Sequence, residues 1–148
     1  MAPLDRAAIL ALIPHQGTMC LLDAVVAWDE GQISCRAADH QSPHHPLARC
    51  GQLPALAAFE YGAQAMAVHG ALLEARHGRR APLAFLAAIR DGQLWVPRLD
   101  PFPAPLTVGA QWLTGSAGNA LYQCSVRAQN QLLATARIAV IARRGEGL

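Results

Sequence analysis

The chain has 148 residues, of which 53% are hydrophobic and 15% charged, and its formal net charge is +2. This length predicts one domain, residues 1–148, with a single core, and the small net charge excludes an electrostatic case for nucleic-acid binding. No apolar run reaches the roughly 18 uncharged residues of a membrane span, so no membrane association is expected. The start lacks the basic region and cleavage site of a signal peptide, which predicts a cytoplasmic protein.

The first elements are a short helix and a β-hairpin. The helix has Pro3 and Asp5 near its start and Pro14 just past its end. Residues 18–28 are rich in apolar and β-branched side chains, and residues 32–38 alternate in polarity after an Asp-Glu-Gly turn, so both predict strands of a hairpin. The following residues 39–52 contain two prolines, three histidines and a glycine, which predicts an irregular loop.

Residues 53–78 predict one long, alanine-rich helix with Pro54 in its first turn. Its apolar part carries a single carboxylate, Glu60, and Gln64 follows one turn later on the same face. A helix that is apolar on most of its surface is normally buried, and a buried carboxylate is costly unless it is paired or neutralised. Glu60 therefore either pairs with a loop or an arginine, or acts as a general acid/base whose pKa is raised by burial.

Only strands are predicted after the helix. Strand patterns cover residues 82–90, Leu106–Ser116, 120–128 and Gln131–Ala142. Two strands, one long helix and then strands alone favour an α+β fold over a parallel sheet. We expect an antiparallel sheet of five or six strands wrapped around one central helix.

The cysteines and histidines do not predict a metal site. The four cysteines are scattered without a CxxC spacing, as expected of reduced thiols. His40, His44 and His45 cluster, but no carboxylate or cysteine nearby completes a zinc site. We expect neither a metal nor another cofactor.

Three segments resemble FabZ-type 3-hydroxyacyl-ACP dehydratases, in the same order along the chain. They are LIPHQGTMCLLDAVVAWDEG, LPALAAFEYGAQAMA and AFLAAIRDGQLWVP, which resemble the opening, the central helix and a later strand of that family. The resemblance implies a hotdog fold, dimers with acyl tunnels at the interface, and dehydration of a 3-hydroxyacyl thioester on an acyl carrier protein. The shortened loop before the helix is closer to the divergent dehydratases of aryl-polyene pigment clusters.

The resemblance also implies roles for individual residues. Glu60 stands at the place of the catalytic helix acid, and Gln64 at the glutamine that follows it. His15 falls on a family histidine that is structural or peripheral. The family motif with the catalytic histidine, GHFP, is absent, so we predict His45 as the base, with His44 and then His40 as alternatives.

The first helical turn and the strand edges complete the predicted site. Free N–H groups around Ala55, Leu56 and Ala57 could bind the thioester carbonyl, so the predicted substrate-binding residues are Gln64, His44, Ala55 and Leu56.

A homodimer is expected, because a strand within residues 83–90 offers an edge with few charges. Two other functions stay open, a hotdog thioesterase that works with the helix carboxylate alone and a non-catalytic subunit that binds acyl carrier protein.

Overall fold

The computed structural model describes residues 2–81, 84–116 and 119–142. The strands are β1 (Leu4–Asp5), β2 (Ala24–Trp28), β3 (Gln32–Ala37), β4 (Ala84–Leu94), β5 (Leu106–Ser116), β6 (Asn119–Ala128) and β7 (Gln131–Ala142). The helices are α1 (Arg6–Leu12) and α2 (Ala58–Ala75), with short 3₁₀ turns at Gly17–Met19 and Ala55–Ala57.

One antiparallel sheet packs against α2, in the strand order β1-β2-β3-β5-β6-β7-β4. The predicted α+β hotdog arrangement is confirmed. The sheet has one strand more than expected because the two-residue β1 pairs with β2.

Several predicted boundaries need correction. The strand expected over residues 18–28 begins only at Ala24, because the N–H of Leu21 donates to the side chain of Gln64 and not to a neighbouring strand. The helix expected over residues 53–78 begins at Ala58, after a 3₁₀ turn, and ends at Ala75. The strand expected over 82–90 continues to Leu94, and its residues 82–83 lie outside the described part of the chain.

The start of α2 is fixed by the loop between β4 and β5, which lies against it. The N–H of Leu53 donates to the carboxylate of Asp100 at 2.8 Å, and the Arg98 guanidinium binds the same carboxylate. The hydrogen bond from Arg98 is the largest influence on the Asp100 carboxyl and lowers its pKa to about 2. These contacts set where the first turns of α2 begin, and Glu60 lies on those turns.

The strand β4 forms one edge of the sheet and pairs only with β7 among the described strands. Several of its apolar side chains are exposed: Phe85, Leu86, Ile89 and Leu94. The opposite edge is the two-residue β1. Within the described residues, no helix is both long and apolar enough to span a membrane.

Candidate active site

Glu60 lies on the flank of α2 that faces the connection between α1 and β2. Its Oε1 atom is 3.3 Å from Nε2 of His15 and accepts a hydrogen bond from Nε2 of Gln64 at 3.0 Å. The side chains of Glu60 and His15 are 34% and 29% exposed. Glu60 is therefore half-buried and not fully buried as expected, so the pair can be reached from outside.

The expected direction of the Glu60 pKa is wrong. The hydrogen bond from His15 is the largest influence, and it holds the pKa of the Glu60 carboxyl below its ordinary value although burial raises it. The bond from Gln64 lowers this pKa further. Glu60 is therefore ionised at neutral pH, the form in which a carboxylate can accept a proton.

Gln64 is fully buried and uses its amide for three hydrogen bonds. Its Nε2 donates to Glu60 and to the carbonyl of Met19 at 2.8 Å, and its Oε1 accepts the N–H of Leu21 at 2.8 Å. Both amide protons are thus engaged within the chain. This geometry indicates that Gln64 positions Glu60 and the neighbouring connection, rather than donating to a substrate.

His15 comes to Glu60 from a connection and not from a helix or strand. Gln16 helps to hold this connection, because its side chain donates to the carbonyls of Leu10 and Ile13 at the end of α1. The family resemblance implied a structural or peripheral role for His15. The sequence signal that could have identified His15 is the order of two features: a histidine shortly before β2, and a glutamine, Gln64, one helical turn after Glu60.

The predicted base, His45, lies elsewhere. Its Nδ1 accepts the N–H of Leu47 at 3.1 Å, so its Nε2–H donates to the Tyr61 hydroxyl at 3.0 Å. The ring is buried, and burial lowers its pKa. It lines a cavity of about 430 Å³ together with Arg6, Thr18, Cys20, Leu21, Asp23, Arg36, Ala38 and Asp39. The structure brings His15, and not His45, into contact with Glu60.

The other loop histidines also lie away from Glu60. His44 is exposed, and its backbone N–H donates to Oγ of Ser42. His40 is buried and donates from Nε2 to the carbonyl of Phe102 at 2.6 Å. Among the described residues, no three histidine, cysteine or acidic side chains come together as metal ligands.

The expectation of free N–H groups in the first turn is wrong for two of its residues. The N–H of Ala55 donates to the carbonyl of Pro97, and that of Ala57 to the carbonyl of Pro54, both at 3.0 Å. Leu56 lies in the 3₁₀ turn, four residues before Glu60, and is 63% exposed. Leu56 is therefore accessible from outside, and its part in substrate binding stays a prediction.

The sequence matches the model of the ApeP-like family, described as ApeP dehydratase, over residues 7–146. No curated protein matches it. Its fold is similar to the dehydratase heterocomplex ApeI:P from Xenorhabdus doucetiae, with a TM-score of 0.84 and 19% identity over 92% of this chain and 91% of that chain. It is also similar to a putative thioesterase from Shewanella oneidensis, with a TM-score of 0.58 and 14% identity over 82% of each chain. At these identities the structural likeness shows a shared fold.

Proposed function

The chain belongs to the ApeP-like dehydratase family, and we propose that Glu60 and His15 carry out the chemistry of its dehydration. The reaction removes water from a 3-hydroxyacyl thioester, a lyase step of aryl-polyene-type biosynthesis. The observation that carries the assignment of these two residues is the 3.3 Å contact between Nε2 of His15 and Oε1 of Glu60.

A pair that holds one proton is sufficient for this reaction. Dehydration removes a proton from the carbon next to the thioester and a hydroxide from the following carbon, which leaves as water once it is protonated. With Glu60 ionised and His15 protonated, the carboxylate takes the carbon-bound proton and the imidazolium gives its proton to the hydroxyl. Transfer of a proton from Glu60 back to His15 across their contact restores the starting state, so no proton is gained or lost.

The proposal includes an acyl carrier protein as the bearer of the substrate and a dimer of hotdog subunits as the active form. The carrier is supported by the resemblance to 3-hydroxyacyl-ACP dehydratases in three segments of the sequence. The dimer is supported by the exposed apolar side chains of β4. A cytoplasmic location belongs to the same proposal. The related ApeI:P structure is a heterocomplex, so the second subunit is either another copy of this chain or a homologous hotdog protein.

Variants of Glu60, His15 and His45 test the assignment. We expect Glu60→Gln and His15→Ala each to lower kcat by about 10² or more, as for the loss of an acid/base group, while His45→Ala keeps most of the rate. The measurement is conversion of a 3-hydroxyacyl carrier protein, followed by intact mass. A wild-type rate in His15→Ala together with loss of the rate in His45→Ala would show that His45, and not His15, is the catalytic histidine.

The same assay separates the other functions of this fold. Loss of one water from the acyl group is the expected product, whereas release of the free acid would identify a thioesterase. A chain that binds the acyl carrier protein but converts nothing, alone or with a homologous subunit, would be a non-catalytic subunit. The 3.3 Å pair favours the dehydratase, because a carboxylate alone is enough for thioester hydrolysis.

A further inference from the structure

Among the described residues, the polar contact of the His15 ring is the one that its Nε2 makes with Glu60. His15 lies in the connection of residues 13–23 between α1 and β2, whose only regular structure is one 3₁₀ turn. Its Nδ1 atom is buried and has no hydrogen-bond partner among the described residues. The position of the ring against Glu60 therefore depends on the backbone of this connection.

We propose that Arg6 is the positioning residue of the His15–Glu60 pair, an inference that rests on the proposed function. Its Nη2 donates to the carbonyl of Gly17 at 2.7 Å, and its Nη1 donates to the carbonyls of Cys20 and Leu22 at 2.8 and 3.2 Å. One side chain at the start of α1 thus binds three carbonyls of the connection that carries His15.

Arginine suits this arrangement because its guanidinium offers five N–H donors in one rigid plane. A lysine ammonium at this position would be a single point charge on a flexible stem. It could keep the ion pair that Arg6 forms with Asp23, whose Oδ1 is 3.6 Å from Nη1, but its one nitrogen would replace two that now bind separate carbonyls. The hydrogen bonds to backbone, and not the positive charge, are the feature that lysine would lose.

The connection is held from both sides. Arg6 binds it from α1 through the carbonyls of Gly17, Cys20 and Leu22, and Gln64 binds it from α2 through Met19 and Leu21. The contacts on the two sides fall on alternating residues of the same short segment. Loss of Arg6 leaves the segment attached to α2 and leaves the side chain of Gln16 as its remaining side-chain contact with the end of α1. The catalytic group closest in sequence to the weakened contacts is His15, two residues before Gly17.

Kinetics of Arg6→Gln and Arg6→Lys test this role. We expect both variants to lower kcat roughly 10- to 100-fold, as misplacement of a catalytic group by about 1 Å does, with a smaller change in KM. The acid limb of the kcat/KM profile should move to higher pH, because a weaker bond from His15 removes the main cause of the lowered Glu60 pKa. The matched control is Arg137→Gln, since Arg137 forms an ion pair with Asp91 at the same 3.6 Å distance and no carbonyl contact in the described chain.

A double variant distinguishes positioning from a general effect on the fold. If Arg6 acts through His15, Arg6→Gln should add little to the loss already caused by His15→Ala. An unshifted acid limb, or a full additional loss in the His15→Ala background, would overturn the role of Arg6 while leaving the proposed function intact. A wild-type rate in His15→Ala would instead refute the proposed pair itself. Should Arg6→Gln fail to fold, Arg6→Lys carries the same measurements.

Discussion

The contacts that one oxygen atom of Glu60 accepts set the pKa of this carboxyl, and the pKa decides how the proposed site can work. Oε1 of Glu60 receives both the contact from His15 and the amide proton of Gln64. Two donors on one carboxylate oxygen favour its ionised form, which is why the pKa falls although burial would raise it. The activity should therefore persist at a pH at which an unpaired glutamate would already be protonated.

Replacement of Gln64 by glutamate tests this balance with almost no change in volume. Gln64→Glu substitutes an oxygen for the nitrogen that donates to Glu60 at 3.0 Å, so two carboxyl groups share one site and the apparent pKa of the pair rises. We expect kcat/KM at neutral pH to fall at least tenfold and the acid limb of its pH profile to move upward. The control is Gln123→Glu, because the Gln123 side chain donates to a strand carbonyl, that of Ala136, and to no other group in the described residues. An unchanged acid limb would show that Gln64 does not set the ionisation of Glu60.

Two glycines of α2 provide a prediction at the scale of the helix. A Cβ added at Gly62 would lie 2.9 Å from Cβ of Cys124, so Gly62→Ala should push α2 away from β6 and lower the free energy of unfolding by about 1–3 kcal/mol. A Cβ at Gly70 would meet no described atom within 4 Å, so Gly70→Ala should raise the free energy of unfolding by about 0.5–1 kcal/mol. Denaturant unfolding measures both changes. Equal effects of the two variants would contradict this packing of the helix on the sheet.

The sequence predicted well the strands whose side chains alternate regularly in polarity and whose backbone hydrogen bonds follow the same regular pairing. β5 and β7 match their predicted bounds, because alternation in the sequence corresponds to pairing with neighbouring strands along their length. Residues 18–23 also look like a strand, but part of their backbone bonds to the side chains of Arg6 and Gln64. No periodic pattern predicts contacts of that kind.

The candidate site was predicted only in part, because the sequence shows which residues share a helix but not how an irregular connection folds. Glu60 stood out as a single carboxylate in an apolar helix, and the structure places Gln64 beside it. The proximity of His15 depends on how a connection without regular structure folds back onto α2, which spacing along the chain does not encode. Of the loop histidines, His45 comes nearest to the family spacing along the sequence, but its ring bonds to Tyr61.

At the scale of the whole molecule, the two edges of the sheet differ. β1 is an edge of two residues, whereas β4 has eleven and carries exposed apolar side chains. A long edge strand of this kind is an aggregation hazard unless another chain covers it. The asymmetry favours β4 as the place where a second subunit adds to the sheet.

Charges introduced on β4 test this assembly. We expect the wild-type chain to sediment as a homodimer and the double variant Leu86→Lys, Ile89→Lys to sediment as a monomer, because two ammonium groups would have to be buried at the junction. Val26→Lys is the control, since Val26 on β2 is 52% exposed and Leu86 is 51% exposed. A wild-type chain that stays monomeric at every concentration would contradict the homodimer and leave a homologous subunit as the partner.

The hydrogen bond from Leu21 to Gln64 has one more consequence. Leu21 belongs to no strand or helix, and its amide proton would be expected to exchange with solvent as quickly as in any surface connection. Here the proton is buried against Oε1 of Gln64, so it can exchange only when the connection separates from α2. The exchange rate of this one proton therefore reports how often the proposed site opens, without substrate and without a mutation.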